Sequence, residues 1–86
     1  MNRKLHVGNL PLWVTDKDLV EKFGRFGTVE FAAIMQDDVS GASRGIGLVE
    51  MASSAEAQKA MSWLNFSSYE GQIMAVSLYD SNARVH

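Results

Sequence analysis

The spacing of apolar residues along this 86-residue chain predicts one helix in each half of the sequence. Thr15 and Asp18 form a capping-box-like start for the first helix, and Gly27 is a natural stop beyond its last turn. The apolar positions of this helix share one face: Leu19, Val20, Phe23 and Phe26. Ser53 and Glu56 form a second capping box. The residues after it repeat the helical spacing: Ala57, Ala60, Met61 and Leu64.

Four further segments alternate apolar and polar residues as strands do. They cover residues 5–10, 28–35, 46–51 and 73–79. Pro11 ends the first segment because proline cannot donate to a strand ladder. The turn-forming residues 37–43, which include Asp37 and Asp38, predict a hairpin loop rather than a metal site. Residues 66–71 predict a loop before the last strand.

The predicted order is strand, helix, strand, strand, helix, strand, which is the ferredoxin-like split βαβ arrangement. We therefore expect an α+β fold, a ferredoxin-like βαββαβ sandwich. Its four-stranded antiparallel sheet would carry two helices on one face and leave the other face open. A chain of this length has room for one small domain. We expect that domain over residues 1–80, followed by a polar C-terminal tail at 81–86.

The residue content of the chain argues against several classes of function. Cysteine is absent from the sequence, which excludes a disulfide and a thiolate nucleophile, and His6 and His86 stand in no triad or metal-ligand spacing. We therefore expect neither an enzyme nor a bound cofactor or metal. The longest apolar run, residues 31–35, is too short to span a bilayer, and the N-terminus lacks the pattern of a secretory signal. We expect a cytoplasmic protein with no membrane partner.

Two short motifs carry a family resemblance, LHVGNL at residues 5–10 and RGIGLVEM at residues 44–51. Other matching features are Asn9-Leu10-Pro11, Thr15-x-x-x-Leu19, Phe26-Gly27-x-Val29, Asp37 with Gly41, and Leu64-Asn65. Over nearly its whole length the chain resembles a single RNA recognition motif domain. The family's octamer reads K/R-G-F/Y-G/A-F-V-x-F/Y. It is matched at Arg44, Gly45, Gly47 and Val49, whereas its aromatic positions hold Ile46, Leu48 and Met51.

The resemblance implies that the open sheet face binds single-stranded RNA, with single-stranded DNA as an alternative ligand. In the family, bases stack on outward aromatic residues, and the corresponding positions here hold His6, Ile46 and Leu48. Stacking contributes about 1–3 kcal/mol per base, so two aliphatic replacements weaken binding by about 2–6 kcal/mol. We therefore expect modest affinity. Alternation adds further residues to this face, of which Phe31 and Tyr79 could be displaced stacking platforms.

Charge places a second limit on RNA binding. The net charge is −2, so the chain lacks the general attraction for phosphate that strong binders have. Contacts with phosphate would depend on a local cluster: Arg44, which opens the octamer, with Lys4 and Arg3. The alternative interpretation is a protein-interaction or homodimerising domain that uses the same apolar face.

Several residues have a structural interpretation instead. We expect Gly45 and Gly47 to allow close approach within the sheet. Trp63 is predicted to pack beside Phe66 or Tyr69 at the margin of the helices. Trp13 is predicted to pack under the loop after the first strand, with contact to a nucleotide at the sheet edge as the alternative.

Overall fold

The computed structural model describes residues 2–79. The elements follow the order β1 (Lys4–Gly8), α1 (Asp16–Phe23), β2 (Val29–Gln36), β3 (Ser43–Met51), α2 (Ser54–Leu64), β4 (Ser68–Tyr69), β5 (Gln72–Ile73) and β6 (Ala75–Leu78). Four of the strands form an antiparallel sheet in the order β2-β3-β1-β6, and β4 and β5 form a separate hairpin. This is the predicted ferredoxin-like fold. The tail predicted at 81–86 lies outside the described residues.

The core forms between the two helices and one face of the sheet. Alternation sends Leu5 and Val7 of β1 and Val49 and Met51 of β3 toward the helices, and each of these side chains is at most 1% exposed. They join one buried cluster with residues of both helices: Leu19, Phe23, Ala57, Ala60 and Leu64. Because both helices use the same face of the sheet, the opposite face is left uncovered by α1 and α2.

The first helix begins as predicted but ends earlier. The Thr15 hydroxyl accepts a hydrogen bond from the Asp18 backbone N–H at 3.2 Å, and the Asp18 carboxylate accepts one from the Thr15 N–H at 2.9 Å. These bonds confirm the capping box. The helix ends at Phe23, with Gly24 and not Gly27 as its C-cap. Val20, predicted on the apolar face, is 44% exposed, since the buried stripe runs through Leu19 and Phe23.

The second capping box is only half formed. The Ser53 hydroxyl caps α2 by accepting from the Glu56 N–H at 3.2 Å. The Glu56 carboxylate does not return to the cap, but instead accepts from the Thr28 backbone N–H at 2.7 Å. Glu56 therefore ties the start of α2 to the segment that leads into β2, a long-range contact that local spacing does not reveal.

The last part of the chain differs most from the prediction. Ser68 pairs with Ile73 and Tyr69 with Gln72, in a hairpin where the sequence predicts a loop. Its turn residues Glu70 and Gly71 have φ values of 51° and 89°, as a two-residue primed turn requires. Glutamate is an unusual first residue for such a turn, so its sequence signal is weak. Ile73 belongs to this hairpin, and the last strand of the sheet begins only at Ala75.

Candidate functional site

The uncovered side of the sheet, called here the open face, is organised in rows that run across the strands. In the first row, Phe31 of β2 lies opposite Glu50 of β3, which lies opposite Lys4 of β1. Tyr79 completes this row just after β6, where its backbone N–H donates to the Lys4 carbonyl at 2.8 Å. The first row therefore holds two aromatic rings and two opposite charges.

The second row is mainly apolar. Ala33 lies opposite Leu48, Leu48 opposite His6, and His6 opposite Ser77. Because alternate residues share a face, Met35 and Ile46 lie one step further along the same strands, beside the Gly8 and Ala75 pair. Neighbouring rows are separated by two residues, or about 7 Å along a strand.

Two depressions lie on the open face, and Leu48 and Tyr79 line both of them. The larger has a volume of about 350 Å³, and its other side chains include Phe31, Glu50 and Lys4 of the first row. The smaller has a volume of about 220 Å³. Its lining is completed by His6, Met35, Arg44 and Ile46. Tyr79 therefore extends from the edge of the sheet toward the centre of the face.

The structure brings all of the predicted contact residues to this one face: Lys4, His6, Phe31, Arg44, Ile46, Leu48 and Tyr79. Phe31 is the most exposed apolar member, at 54%. His6, Ile46, Leu48 and Tyr79 are half-buried beside their neighbours, while Lys4 and Arg44 are exposed. The structure shows that these side chains lie on one face. Their contact with RNA stays a prediction.

Arg3, named in the sequence analysis as a phosphate candidate with Arg44 and Lys4, forms ion pairs within the structure. Its guanidinium donates to the Glu30 carboxylate at 2.8 Å, to the Glu50 carboxylate at 2.7 Å and to the Met51 carbonyl at 3.1 Å. The guanidinium is therefore engaged by two carboxylates, and it neutralises part of their charge. The ion pairs among residues 2–79 all involve Arg3, so in that part of the chain Lys4 and Arg44 are the better candidates for phosphate.

The two octamer glycines have the predicted structural role. Gly45 has φ +73°, and a Cβ at this position would come within 3.0 Å of the Leu10 carbonyl oxygen. It lies where the β2–β3 register shifts, between the Ile34–Gly47 and Gln36–Ser43 pairs. Ile46 follows this irregularity and lines the smaller depression of the open face.

Gly47 acts on the other side of the same strand. A Cβ there would lie 2.8 Å from Leu19 Cδ1 of helix α1 and 3.3 Å from the Ala33 carbonyl oxygen. The absence of a side chain thus lets α1 pack closely against β3. Both glycines have a structural role, as expected. The closest approach at Gly47 is to helix α1, however, and not within the sheet.

The β2–β3 loop is held by Asp37. Its carboxylate accepts from the Ser40 backbone N–H at 2.8 Å, from the Ser40 hydroxyl at 3.1 Å and from the Val39 N–H at 3.1 Å. These hydrogen bonds, with a smaller contribution from Arg44, lower the pKa of the Asp37 carboxyl below its ordinary value. Asp37 has the turn chemistry that the sequence predicts, and it fixes the loop that leads into the octamer.

The tryptophans belong to other surfaces. Trp13 packs edge-on against Tyr69 of the β4–β5 hairpin, with ring centroids 5.6 Å apart, and stays 57% exposed. Trp63 stacks on Phe26 at 6.5 Å, so the prediction that it packs beside Phe66 or Tyr69 is wrong. Burial is the main cause that raises the pKa of Tyr69, with further contributions from nearby carboxylates.

The sequence pattern indicated the candidate residues of the open face, but Glu50 and the ion pairs of Arg3 were not among the predicted features. The signal for Glu50 was available, because strand alternation places it on the same face as Leu48. Within residues 2–79, no helix is long and apolar enough to cross a membrane. The same residues contain no group of three or more His, Cys, Asp or Glu side chains placed to hold a metal ion.

Comparison with known proteins agrees with this architecture. The family model described as RNA recognition motif matches residues 5–75. Over 74 residues the chain is 42% identical to the chloroplastic RNA-binding protein CP33 of Arabidopsis thaliana, a match covering 86% of this chain and 22% of the relative. It is 36% identical over 81 residues to glycine-rich RNA-binding protein 1 of Mycosarcoma maydis, a match covering 94% and 46%. The chain thus spans less than half the length of these relatives.

Solved structures give the same result. RNA binding protein PG1 superposes with a TM-score of 0.87 at 31% identity, over 90% of this chain and 93% of that one. The Sxl-lethal protein/RNA complex gives a TM-score of 0.88 at 30% identity, over 93% and 48%. Several relatives are named chloroplastic, and these names give the predicted cytoplasmic location no support.

Proposed function

The chain belongs to the RNA recognition motif family, and we propose that it is a single-stranded RNA-binding module that binds bases on its open face with modest affinity. The observation that carries the proposal is the juxtaposition of aromatic, apolar and cationic side chains on a sheet face that neither α1 nor α2 covers. The solved relative in complex with RNA, which has the same fold, adds to this support. We expect binding without catalysis.

The rows suggest how a single strand would lie across the face. Phe31 and Tyr79 offer rings in the first row, and His6 offers a ring in the second. Leu48 and Ile46 offer apolar contact without stacking. Exposed Lys4 and Arg44 lie at different ends of the face, where each could contact a phosphate.

Modest affinity follows from the balance of these contacts. Each base that stacks on an aromatic ring contributes about 1–3 kcal/mol, and two of the family's stacking positions here are aliphatic. The net charge of −2 removes the general attraction for phosphate. We therefore expect binding that depends on few charges and few rings.

A titration with a random-sequence pool of short RNA tests the proposal. Amide resonances should shift along β1 and β3, while those of α2, on the other side of the sheet, should stay in place. Two phosphate contacts predict a slope of about −1.4 for log K against log salt, at about −0.7 per contact with a single strand. Unchanged spectra at millimolar RNA would refute the function.

The contribution of Arg44 has a matched control. Arg44→Ala should reduce the magnitude of the salt slope by about 0.7, because it removes one phosphate contact. Lys59→Ala removes the same charge from the exposed surface of α2, and it should leave the slope unchanged. Equal slopes for the two variants would remove Arg44 from the binding site.

The competing prediction, a protein-binding or homodimerising face, makes a different claim. In its homodimerising form it predicts a concentration-dependent dimer in sedimentation that Leu48→Glu dissolves, and a strictly monomeric profile would remove that form. The same RNA titration repeated with DNA tests whether single-stranded DNA is also a ligand, since the 2′-hydroxyl distinguishes the two.

A further inference from the structure

We propose that Glu50 makes the first row of the open face a subsite for bases that carry an exocyclic amino group, and that it disfavours uracil. This preference depends on the RNA-binding function proposed above, and it names the base chemistry of one subsite. The octamer pattern leaves the position of Glu50 unspecified, so the preference comes from this chain's own residues.

Glu50 occupies the centre of the larger depression. It lies between Phe31 and Lys4 in the register of three neighbouring strands, and Tyr79 closes the depression on the far side. A base that stacks on either ring in this space presents its edge to the row between them. The polar groups in that row are the Glu50 carboxylate and the Lys4 ammonium.

Arg3 holds the Glu50 carboxylate in place. One carboxylate oxygen, Oε2, accepts from the Arg3 guanidinium at 2.7 Å, and the side chain of Glu50 is 23% exposed. Arg3 is itself fixed by Glu30 and by the Met51 carbonyl. A carboxylate has about four lone-pair sites, so the bond to Arg3 leaves acceptor capacity that faces the depression.

The chemistry of the acceptor determines which base fits. An ionised carboxylate accepts hydrogen bonds and donates none. Cytosine presents the N4 amino group and adenine the N6 amino group, both of which donate, whereas the 4-position of uracil carries a carbonyl oxygen, as in thymine. At the 4-position uracil would therefore place an acceptor against the Glu50 carboxylate. Its N–H donor is the ring N3–H, which lies between two carbonyl oxygens that oppose the same carboxylate.

Cytosine and uracil give the sharpest test, because both are pyrimidines with similar stacking surfaces. We expect the protein to bind octacytidylate about tenfold more tightly than octauridylate at neutral pH, as measured by fluorescence anisotropy. This is the effect of one hydrogen bond to a charged acceptor. Glu50→Gln should reduce the ratio to within about twofold, because a side-chain amide both donates and accepts.

Glu30→Gln is the matched control. It makes the same change of charge and removes the other carboxylate partner of Arg3, but Glu30 does not line the depression. This variant should keep the full preference for cytidine, and the amide spectra of both variants should show the native fold. Loss of the preference in Glu30→Gln to the same extent as in Glu50→Gln would overturn the assignment.

The preference and the function fail in different ways. If the wild-type protein binds both oligonucleotides equally well, the base preference is wrong and the RNA-binding function stands. If it binds neither of them, nor the random pool, the RNA-binding function is wrong and the preference falls with it.

Discussion

Replacing Leu48 by phenylalanine restores an aromatic ring at a position where the family stacks a base. Leu48 lies in the middle of the second row, between Ala33 and His6. Its side chain points away from the core, and the small Ala33 leaves space beside it. We therefore expect Leu48→Phe to fold normally and to bind single-stranded RNA more tightly than the wild-type protein.

The magnitude follows from one additional stacked base. Such a stack contributes about 1–3 kcal/mol, which corresponds to a decrease in Kd of roughly 5- to 150-fold. Anisotropy titrations with one labelled random-sequence pool, at a single salt concentration, would measure the change. The stability of the variant should be measured by thermal unfolding, because a partly unfolded variant would show a lower apparent RNA affinity.

Leu78→Phe is the control for added aromatic surface. Leu78 lies opposite the inward-facing Leu5 in the register, so its side chain points to the helical side of the sheet. It is 36% exposed there, and the same substitution should leave RNA affinity unchanged. An increase of less than twofold in Leu48→Phe, or an equal increase in Leu78→Phe, would refute the view that missing stacking limits affinity.

Three other substitutions test the surroundings of the face. Arg3→Gln leaves two carboxylates unopposed, so RNA binding measured by anisotropy should weaken. The free energy of unfolding in urea should fall by only about 1 kcal/mol, as expected for exposed ion pairs. Unchanged RNA affinity would contradict this prediction. Gly47→Ala places a methyl group 2.8 Å from Leu19 and should lower the free energy of unfolding by about 1–3 kcal/mol. Wild-type stability in the same assay would contradict the view that α1 needs a glycine at this position. The Asp37 carboxylate should stabilise its loop above its ordinary pKa of 3.8, and this contribution is lost as pH falls through its lowered pKa. The Ser40 amide resonance should follow that titration, and Asp37→Asn should remove the pH dependence.

The sequence predicted the secondary structure more completely than it predicted the arrangement of residues in the candidate site. Alternation and helical spacing were sufficient for the order of strands and helices and for inward residues such as Leu5 and Val49. They placed the end of α1 and the start of the last sheet strand incorrectly. Local chemistry was also sufficient for the Thr15 cap and the Asp37 turn, since each depends on neighbours within three residues. The β4–β5 hairpin was missed because its Glu70–Gly71 turn has an unusual sequence.

The candidate site required the register as well as the pattern. The sequence by itself determined that His6, Leu48 and Phe31 would point to the same side of a sheet, because side-chain direction repeats every two residues along a strand. It could not determine which residues lie opposite each other, since register depends on bulges and turns elsewhere in the chain.

Only the tertiary structure placed Glu50 between Phe31 and Lys4, and only it brought Arg3 to the carboxylates of Glu30 and Glu50. Arg3 lies 27 positions from Glu30 and 47 from Glu50 in the sequence, and these partners become neighbours only when the strands pair. The alternation of residues along each strand thus defined the open face. The pairing of the four strands decided which charged groups and aromatic rings lie side by side on it.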